Sequence, residues 1–178
     1  MNERTLTRVW WIDEEAKVLG GMYPGSILPE LAQSYGVTAY LNLQESNETN
    51  FEGVSFPDYA ARADKLADET TVHLRVSIPD MGTPLDAADV DLALDFLLAN
   101  EHRTVYTHCW GGHGRTGLIA ACYLKCVKGH SAEEAFEQIE QRRLHSPYLS
   151  SIPSPQTDVQ RSFVRNYEYG GHNDFTLS

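Results

Sequence analysis

The sequence predicts an α/β layer fold in which helices flank a central, largely parallel sheet. Two observations carry this expectation. Short apolar segments of strand length alternate with amphipathic segments of helix length along most of the chain. In addition, residues 103–126 join a strand-like run, "RTVYT", to a helix-like run, "LIAACYLKC", through "HCWGGHGRTG", a loop holding four of the chain's 13 glycines. Parallel sheets bind ligands beyond the carboxyl ends of their strands, and this loop lies at such an end. The 178 residues suffice for one domain with a sizeable core. A single domain is expected over 1–178, its core spanning about 9–168 and residues 169–178 forming a flexible tail.

The elements follow in order. "RVWWIDEEAKVLGGMYPGS" reads as one or two short strands ending in a Gly/Pro turn. "LPELAQSYG" reads as a helix stopped by Gly36, and "VTAYLNL" as a strand. "NETNFEGVSFP" is a loop, "DYAARADKLADET" a helix and "VHLRVS" an alternating strand. Asp86 is placed to cap a helix over "AADVDLALDFLLANE", whose Val90, Leu94, Leu97 and Leu98 share one face. After "RTVYTH" and the glycine-rich loop, the "LIAACYLKCVK" helix closes at Gly129. "SAEE" has the form of a capping box, so Ser131 begins a helix running through Arg143. "SPYLSSIPSP" is a loop, and Ser154 and Pro155 suit the start of a last helix.

Charge narrows the partners. A net charge of −11 opposes binding to nucleic acid or to an anionic membrane surface. "LIAACYL" is far too short to span a bilayer, so no membrane insertion is expected. "MNERTLTRVWWIDEEAKVL" has no apolar stretch of the secretory kind. The three cysteines, Cys109, Cys122 and Cys126, form no disulfide framework, which suits a reducing cytoplasm.

Three chemistries compete for the loop. Residues 112–117 match G-x-G-x-x-G, but a dinucleotide site needs an acidic residue at the end of the next strand. Here Glu133, Glu134 and Glu137 fall in the capped helix instead. A triphosphate loop would need a lysine that is missing. His108, Cys109 and His113 offer metal-ligand types without the usual spacing, and no metal is expected. Phosphate chemistry uses every residue. Loop N–H groups at a helix N-terminus form an anion cradle, with Trp110, Gly111, Gly112, His113 and Gly114 as its walls. A thiol at its rim, Cys109, lies in positive potential that favours the thiolate. Arg115 presents a planar fork that lysine lacks, and the Thr116 hydroxyl is placed to donate to the sulfur. Cys122 and Cys126, four apart on an apolar helix, read as packing.

"HCWGGHGRTG", a Cys-x5-Arg-Thr-Gly pattern, resembles the signature loop of the cysteine-dependent protein tyrosine and dual-specificity phosphatases. "IPDMGTP" resembles their acid loop, with Ile78 in place of the usual tryptophan. "QTDVQ" resembles the glutamine loop of the tyrosine-specific members, and "WWIDEEAKVLGGMYPGS" and "VTAYLNLQE" resemble the opening strands of compact dual-specificity enzymes. The resemblance runs from about residue 9 to 165. No segment resembles the tyrosine-containing recognition loop of the tyrosine-specific enzymes. The resemblance implies a phosphatase domain needing no cofactor, in which Cys109 attacks phosphorus while the loop amides and Arg115 hold the phosphoryl oxygens. Asp80 protonates the leaving oxygen, then acts as base toward a water positioned by Gln156 or Gln160. The implied partner is a phosphoprotein, phosphotyrosine first and phosphoserine or phosphothreonine second. The alternatives are a phosphoinositide or inositol-phosphate phosphatase, whose loops often carry lysines where Trp110 and His113 stand, and a phosphate-binding module without turnover. Arg142, Arg143 and His145 are expected to form a basic rim near the pocket.

Overall fold

In chain order, the computed structural model, which describes residues 7–171, has β1 Val9–Asp13, β2 Val18–Gly21, α1 Leu28–Ser34, β3 Val37–Asn42, α2 Ala60–Leu66 and β4 Val72–Arg75. There follow α3 Ala87–Ala99, β5 Thr104–His108, α4 Gly114–Cys126, α5 Ala132–Arg143, α6 Pro147–Ser150 and α7 Asp158–Asn166. The strands form one sheet in the order β1-β2-β5-β3-β4. Only the β1–β2 pair is antiparallel; β2–β5, β5–β3 and β3–β4 run parallel. The α/β class is therefore as the sequence predicts, with one antiparallel edge.

β5 is central and buried on both faces because successive side chains point opposite ways. Val105 joins Val18, Ala39 and Leu41 in the core under α3, α4 and α5, whereas Tyr106 joins Leu19, Val37 and Tyr40 under α1 and α2. α4 is enclosed between the sheet and helices α3, α5 and α7, so every residue from Gly114 to Leu124 is buried. Such enclosure demands close approach: a Cβ on Gly117 would lie 2.1 Å from the Ser154 hydroxyl oxygen.

Several boundaries differ from expectation. α4 begins at Gly114, inside the glycine-rich loop, because close packing against Gln160, Ser154 and Pro155 admits only glycine at 114 and 117. On α3, Ala93 is fully buried while Leu98 is 37% exposed, so the buried stripe is Val90, Ala93, Leu94 and Leu97. The expected loop at 146–155 contains α6, capped by Ser146. The last helix is capped by Thr157 through a capping box with Gln160, not by Ser154. Of the expected tail, 172–178 lie outside the described residues, while the Tyr169 hydroxyl donates to Asp95 and the Gly170 N–H to Asp91 on α3. Among the described residues, no helix is long and apolar enough to cross a membrane.

The box expected at Ser131 is present, with the Ser131 hydroxyl accepting from Glu134 N–H at 3.1 Å and Glu134 accepting from Ser131 N–H at 2.7 Å. Ser131→Ala is expected to lower unfolding free energy by about 1 kcal/mol, read as an earlier urea midpoint at unchanged m-value.

Candidate active site

The strand β5 delivers the chain to the carboxyl edge of the sheet at His108, and α4 takes it back from Gly114. Between them the backbone wraps around Cys109, whose sulfur accepts from Gly112 N–H at 3.3 Å and from the Thr116 hydroxyl at 3.1 Å. Gly112 has φ +82°, and a Cβ there would lie 2.5 Å from the carbonyl carbon of Gly21. Only glycine lets the loop turn left-handed against the end of β2.

The loop's carbonyls are held from outside. Cys109 O accepts from His108 Nδ1, Trp110 O from Tyr23 N–H at 2.9 Å, Gly111 O from the Tyr148 hydroxyl at 3.2 Å, and His113 O from the Ser154 hydroxyl at 2.6 Å. In a trans peptide the following N–H points opposite to the carbonyl. Trp110, Gly111, Gly112 and Gly114 thus turn their N–H groups inward, and the contact of Gly112 with sulfur shows that direction. The result is a concave row of donors at the N-terminus of α4.

Two histidines brace this loop in neutral form. A carbonyl only accepts, so His108 Nδ1 carries the proton toward Cys109 O, and Nε2 accepts from the Tyr59 hydroxyl at 2.6 Å. Burial pushes His108 down to about 3. His113 Nδ1 accepts from Arg143 Nη2 at 2.5 Å, and burial, then the Arg143 charge, bring it down to about 4. The His113 ring thus faces Arg143 and Tyr148, packing 5.1 Å from the tyrosine ring. His113 is held at its ring by Arg143 and at its carbonyl by Ser154.

Arg115 is 1% exposed, and both of its Nη groups are engaged. Glu48 accepts from both Nη1 and Nη2, at 2.6 and 2.8 Å, Ile78 O accepts from Nη1 at 3.1 Å, and an Asp80 carboxylate oxygen lies 3.0 Å from Nη2. Burial works against the guanidinium's charge, but Glu48, Cys109 and Asp80 outweigh it and raise Arg115 above its ordinary value. Burial likewise works against the Glu48 carboxylate, but the bonds from Arg115 and Gln44 keep it below the usual range. Because Glu48 takes the Nη1–Nη2 edge, an anion is left with the Nε–Nη2 edge, which it would share with Asp80 at Nη2.

The acid-loop segment follows β4. Ile78 is fully buried, while the Asp80 side chain is 52% exposed at the mouth. A Gly82 N–H to Pro79 O bond of 3.0 Å closes the turn. The "QTDVQ" segment fastens it: Gln160 Nε2 donates to Gly82 O at 3.1 Å and the Thr157 hydroxyl to Met81 O at 3.3 Å. Gln160 is fully buried, and its Oε1 accepts from Gln156 N–H and Thr157 N–H. Its placement is that of a clasp between α7 and the acid loop. Gln156 is half-buried beside Gly114.

The structure thus brings Cys109, Arg115, Thr116, Asp80 and the loop glycines together. The expected basic rim does not form. Arg143 is 2% exposed under the loop and donates to Ile152 O as well as His113, and Arg142 donates to Ile12 O. His145 lies against Val9 O at 3.2 Å. Sequence reading missed Glu48 and Tyr59, and gave Arg143 and Ser154 other roles, a rim cation and a helix start. Glu48 alone carried a signal, being an acid in the loop that leaves the carboxyl end of β3.

Neutral burial of His108 and His113 has a pH signature. An unfolded imidazole protonates near pH 6.5, whereas these two resist to about 3 and 4. In that window the unfolded state binds more protons, so stability present above pH 6.5 is lost as pH falls. The urea midpoint is expected to be lower at pH 5 than at pH 7. His113→Gln, which keeps an acceptor for Arg143, is expected to flatten that slope. Equal wild-type midpoints at the two pH values would contradict the assignment.

Comparison with known proteins gives the family. Residues 25–152 match the family model described as PTP-SAK, Swiss Army Knife protein, DSP-PTPase phosphatase domain. The chain is 26% identical over 137 residues to the amyloplastic phosphoglucan phosphatase DSP4 of Castanea sativa, covering 71% of this chain and 34% of that protein. It is 28% identical over 159 residues to the phosphatidylglycerophosphate phosphatase PTPMT2 of Arabidopsis thaliana, covering 88% of this chain and 63% of the relative. The chain therefore spans between about a third and just under two thirds of these curated relatives' lengths. Among solved structures, PTPMT1 in complex with PI(5)P superposes with a TM-score of 0.66 at 28% identity, covering 88% of this chain and 94% of that one. Tk-PTP in its active form superposes with a TM-score of 0.69 at 24% identity, covering 89% and 94%, a likeness of fold. With the family model spanning well over half of its residues, the chain belongs to the DSP-PTPase phosphatase family.

Proposed function

We propose that this chain is a cysteine-dependent phosphomonoesterase whose substrate is a phosphoprotein, phosphotyrosine above all. The observation that carries the reading is the pairing of Cys109 with inward N–H donors and the Thr116 hydroxyl, opposite an acid, Asp80, in contact with Arg115. In the first step the Cys109 sulfur forms a bond to phosphorus as the ester P–O bond breaks, and Asp80 gives its proton to the leaving oxygen. The loop N–H groups and the Nε–Nη2 edge of Arg115 hold the equatorial oxygens. In the second step water attacks phosphorus, Asp80 takes its proton, and the sulfur leaves with Thr116 donating to it. Gln156, half-buried beside the loop, is the better-placed glutamine for that water, since Gln160 is engaged by Gly82 and the α7 cap.

A phosphoinositide is the second reading, favoured by the 28% identity to PTPMT1, whose complex holds PI(5)P. The net charge of −11 weighs against an anionic lipid surface. Turnover on phosphotyrosyl, phosphoseryl and phosphoinositide substrates separates the two.

Cys109→Ser is expected to abolish turnover while still binding phosphate; steady-state activity in the pure variant would refute a covalent intermediate. Asp80→Asn is expected to lower kcat by roughly 10²–10⁴-fold, most for an alkyl phosphoester and least for an aryl ester with an acidic phenol. Asp86, whose carboxylate caps α3 by accepting from Ala88 N–H at 2.9 Å, is the control: Asp86→Asn is expected to turn over like the parent. The reverse pattern would place the general acid elsewhere.

A further inference from the structure

The loop between β3 and α2 carries an aromatic ring that neither core uses. Phe51 is 94% exposed, yet its ring centroid lies 4.5 Å from that of Trp110, tilted by 53°. Phe56 stands 5.5 Å from Trp110, and Tyr23 stands 5.0 Å from Phe56. Trp110 is the residue next to Cys109, so this cluster begins at the edge of the phosphate cradle.

The loop that holds Phe51 is braced. Asn50 Oδ1 accepts from Glu52 N–H at 2.9 Å and Val54 N–H at 3.0 Å, and Thr49 bridges to Ser55. Glu48, three residues before Phe51, grips Arg115. The segment that orients the phosphate-binding arginine therefore also fixes Phe51 beside Trp110. The phenyl ring contributes almost no burial to folding; what distinguishes it from other exposed apolar side chains is its contact with Trp110 beside the cradle.

We propose that Phe51 and Trp110, backed by Phe56, form the wall that receives the leaving group, and that this wall selects an aryl phosphate such as phosphotyrosine. The inference rests on the phosphatase reading given above. The polar groups around the wall distinguish an aromatic ring from a sugar or inositol ring. Glu48 is engaged by Arg115, Gln44 and Glu45 N–H, Asn50 by its own loop, and the Tyr23 hydroxyl by Pro57 O at 2.5 Å. A polyol would find the Glu48 carboxylate and the Asn50 side-chain carbonyl oxygen already taken. A phenyl ring asks for neither and packs edge or face against the two tilted rings.

The test measures binding by calorimetry to Cys109→Ser protein, with orthophosphate, phenylphosphonate and glucose 6-phosphate as probes. Phenylphosphonate is expected to bind at least about tenfold more tightly than orthophosphate, and adding Phe51→Ala is expected to reduce that ratio by roughly five- to tenfold. Leu144→Ala, an exposed apolar position after α5, is expected to leave the ratio alone. Equal affinity for the two anions, a ratio indifferent to Phe51→Ala, or glucose 6-phosphate losing more affinity than phenylphosphonate in that variant would each overturn the wall. Failure of orthophosphate itself to bind would instead overturn the phosphatase reading, and the wall with it.

Discussion

One buried guanidinium ties the catalytic edge together. Arg115 touches Glu48 from the loop after β3, Ile78 and Asp80 from the loop after β4, and stands six residues beyond Cys109 at the end of β5. These strands lie side by side in the order β5-β3-β4 and run parallel, so their carboxyl ends present three loops to one point. Burial makes an unpaired guanidinium costly, and leaving one partner of such a pair alone costs about 3–5 kcal/mol. Arg115 therefore demands Glu48, and Glu48 in turn draws Gln44 and the N–H of Glu45 into place. The loop after β3, which would otherwise be free to wander, is set by that demand.

The local potential runs against that of the whole molecule. The chain carries a net charge of −11, but beneath the Cys109 loop lie Arg115 and Arg143, and both neighbouring histidines are neutral. Among the described residues Arg143 makes no ion pair, and its Nε has no hydrogen-bond partner. Burial brings it down to about 10, still protonated at neutral pH. Glu48 and Asp80 offset the Arg115 charge, so Arg143 and the inward N–H groups make the small positive centre inside an acidic body. Such a centre favours an anion at the loop over one elsewhere on the surface.

How much of this was legible depends on the range of each interaction. The α/β class was visible because alternation is local, and so was the Cys109 loop, whose ten residues hold donors, thiol and arginine together. The start of α4 was not, since glycine-rich composition argues for loop while enclosure by three helices decides for helix. Glu48 and Arg115 are separated by 67 residues, and no periodicity announces such a pair. Arg143 looked like an exposed cation on a polar helix; its burial follows from α5 packing against α4. The segment "TDVQ" fits both a glutamine loop and a capping box, and the structure shows Gln160 in the second role.

The attachment of the acid loop explains how Asp80 can share Arg115 with a substrate. On the proposed mechanism a phosphoryl group uses the Nε–Nη2 edge, and Asp80 lies against Nη2. Substrate and acid thus meet at one nitrogen. A half-exposed ion pair of this kind contributes only about 0–1 kcal/mol, so a phosphate dianion displaces the carboxylate at small cost. The loop does not depend on that ion pair for its position. Its anchors are the carbonyls of Met81 and Gly82 on Thr157 and Gln160, and the buried Ile78 whose carbonyl accepts from Arg115. Asp80 can release the arginine without the backbone moving, which leaves its carboxyl at the mouth of the cradle, where the leaving oxygen must pass.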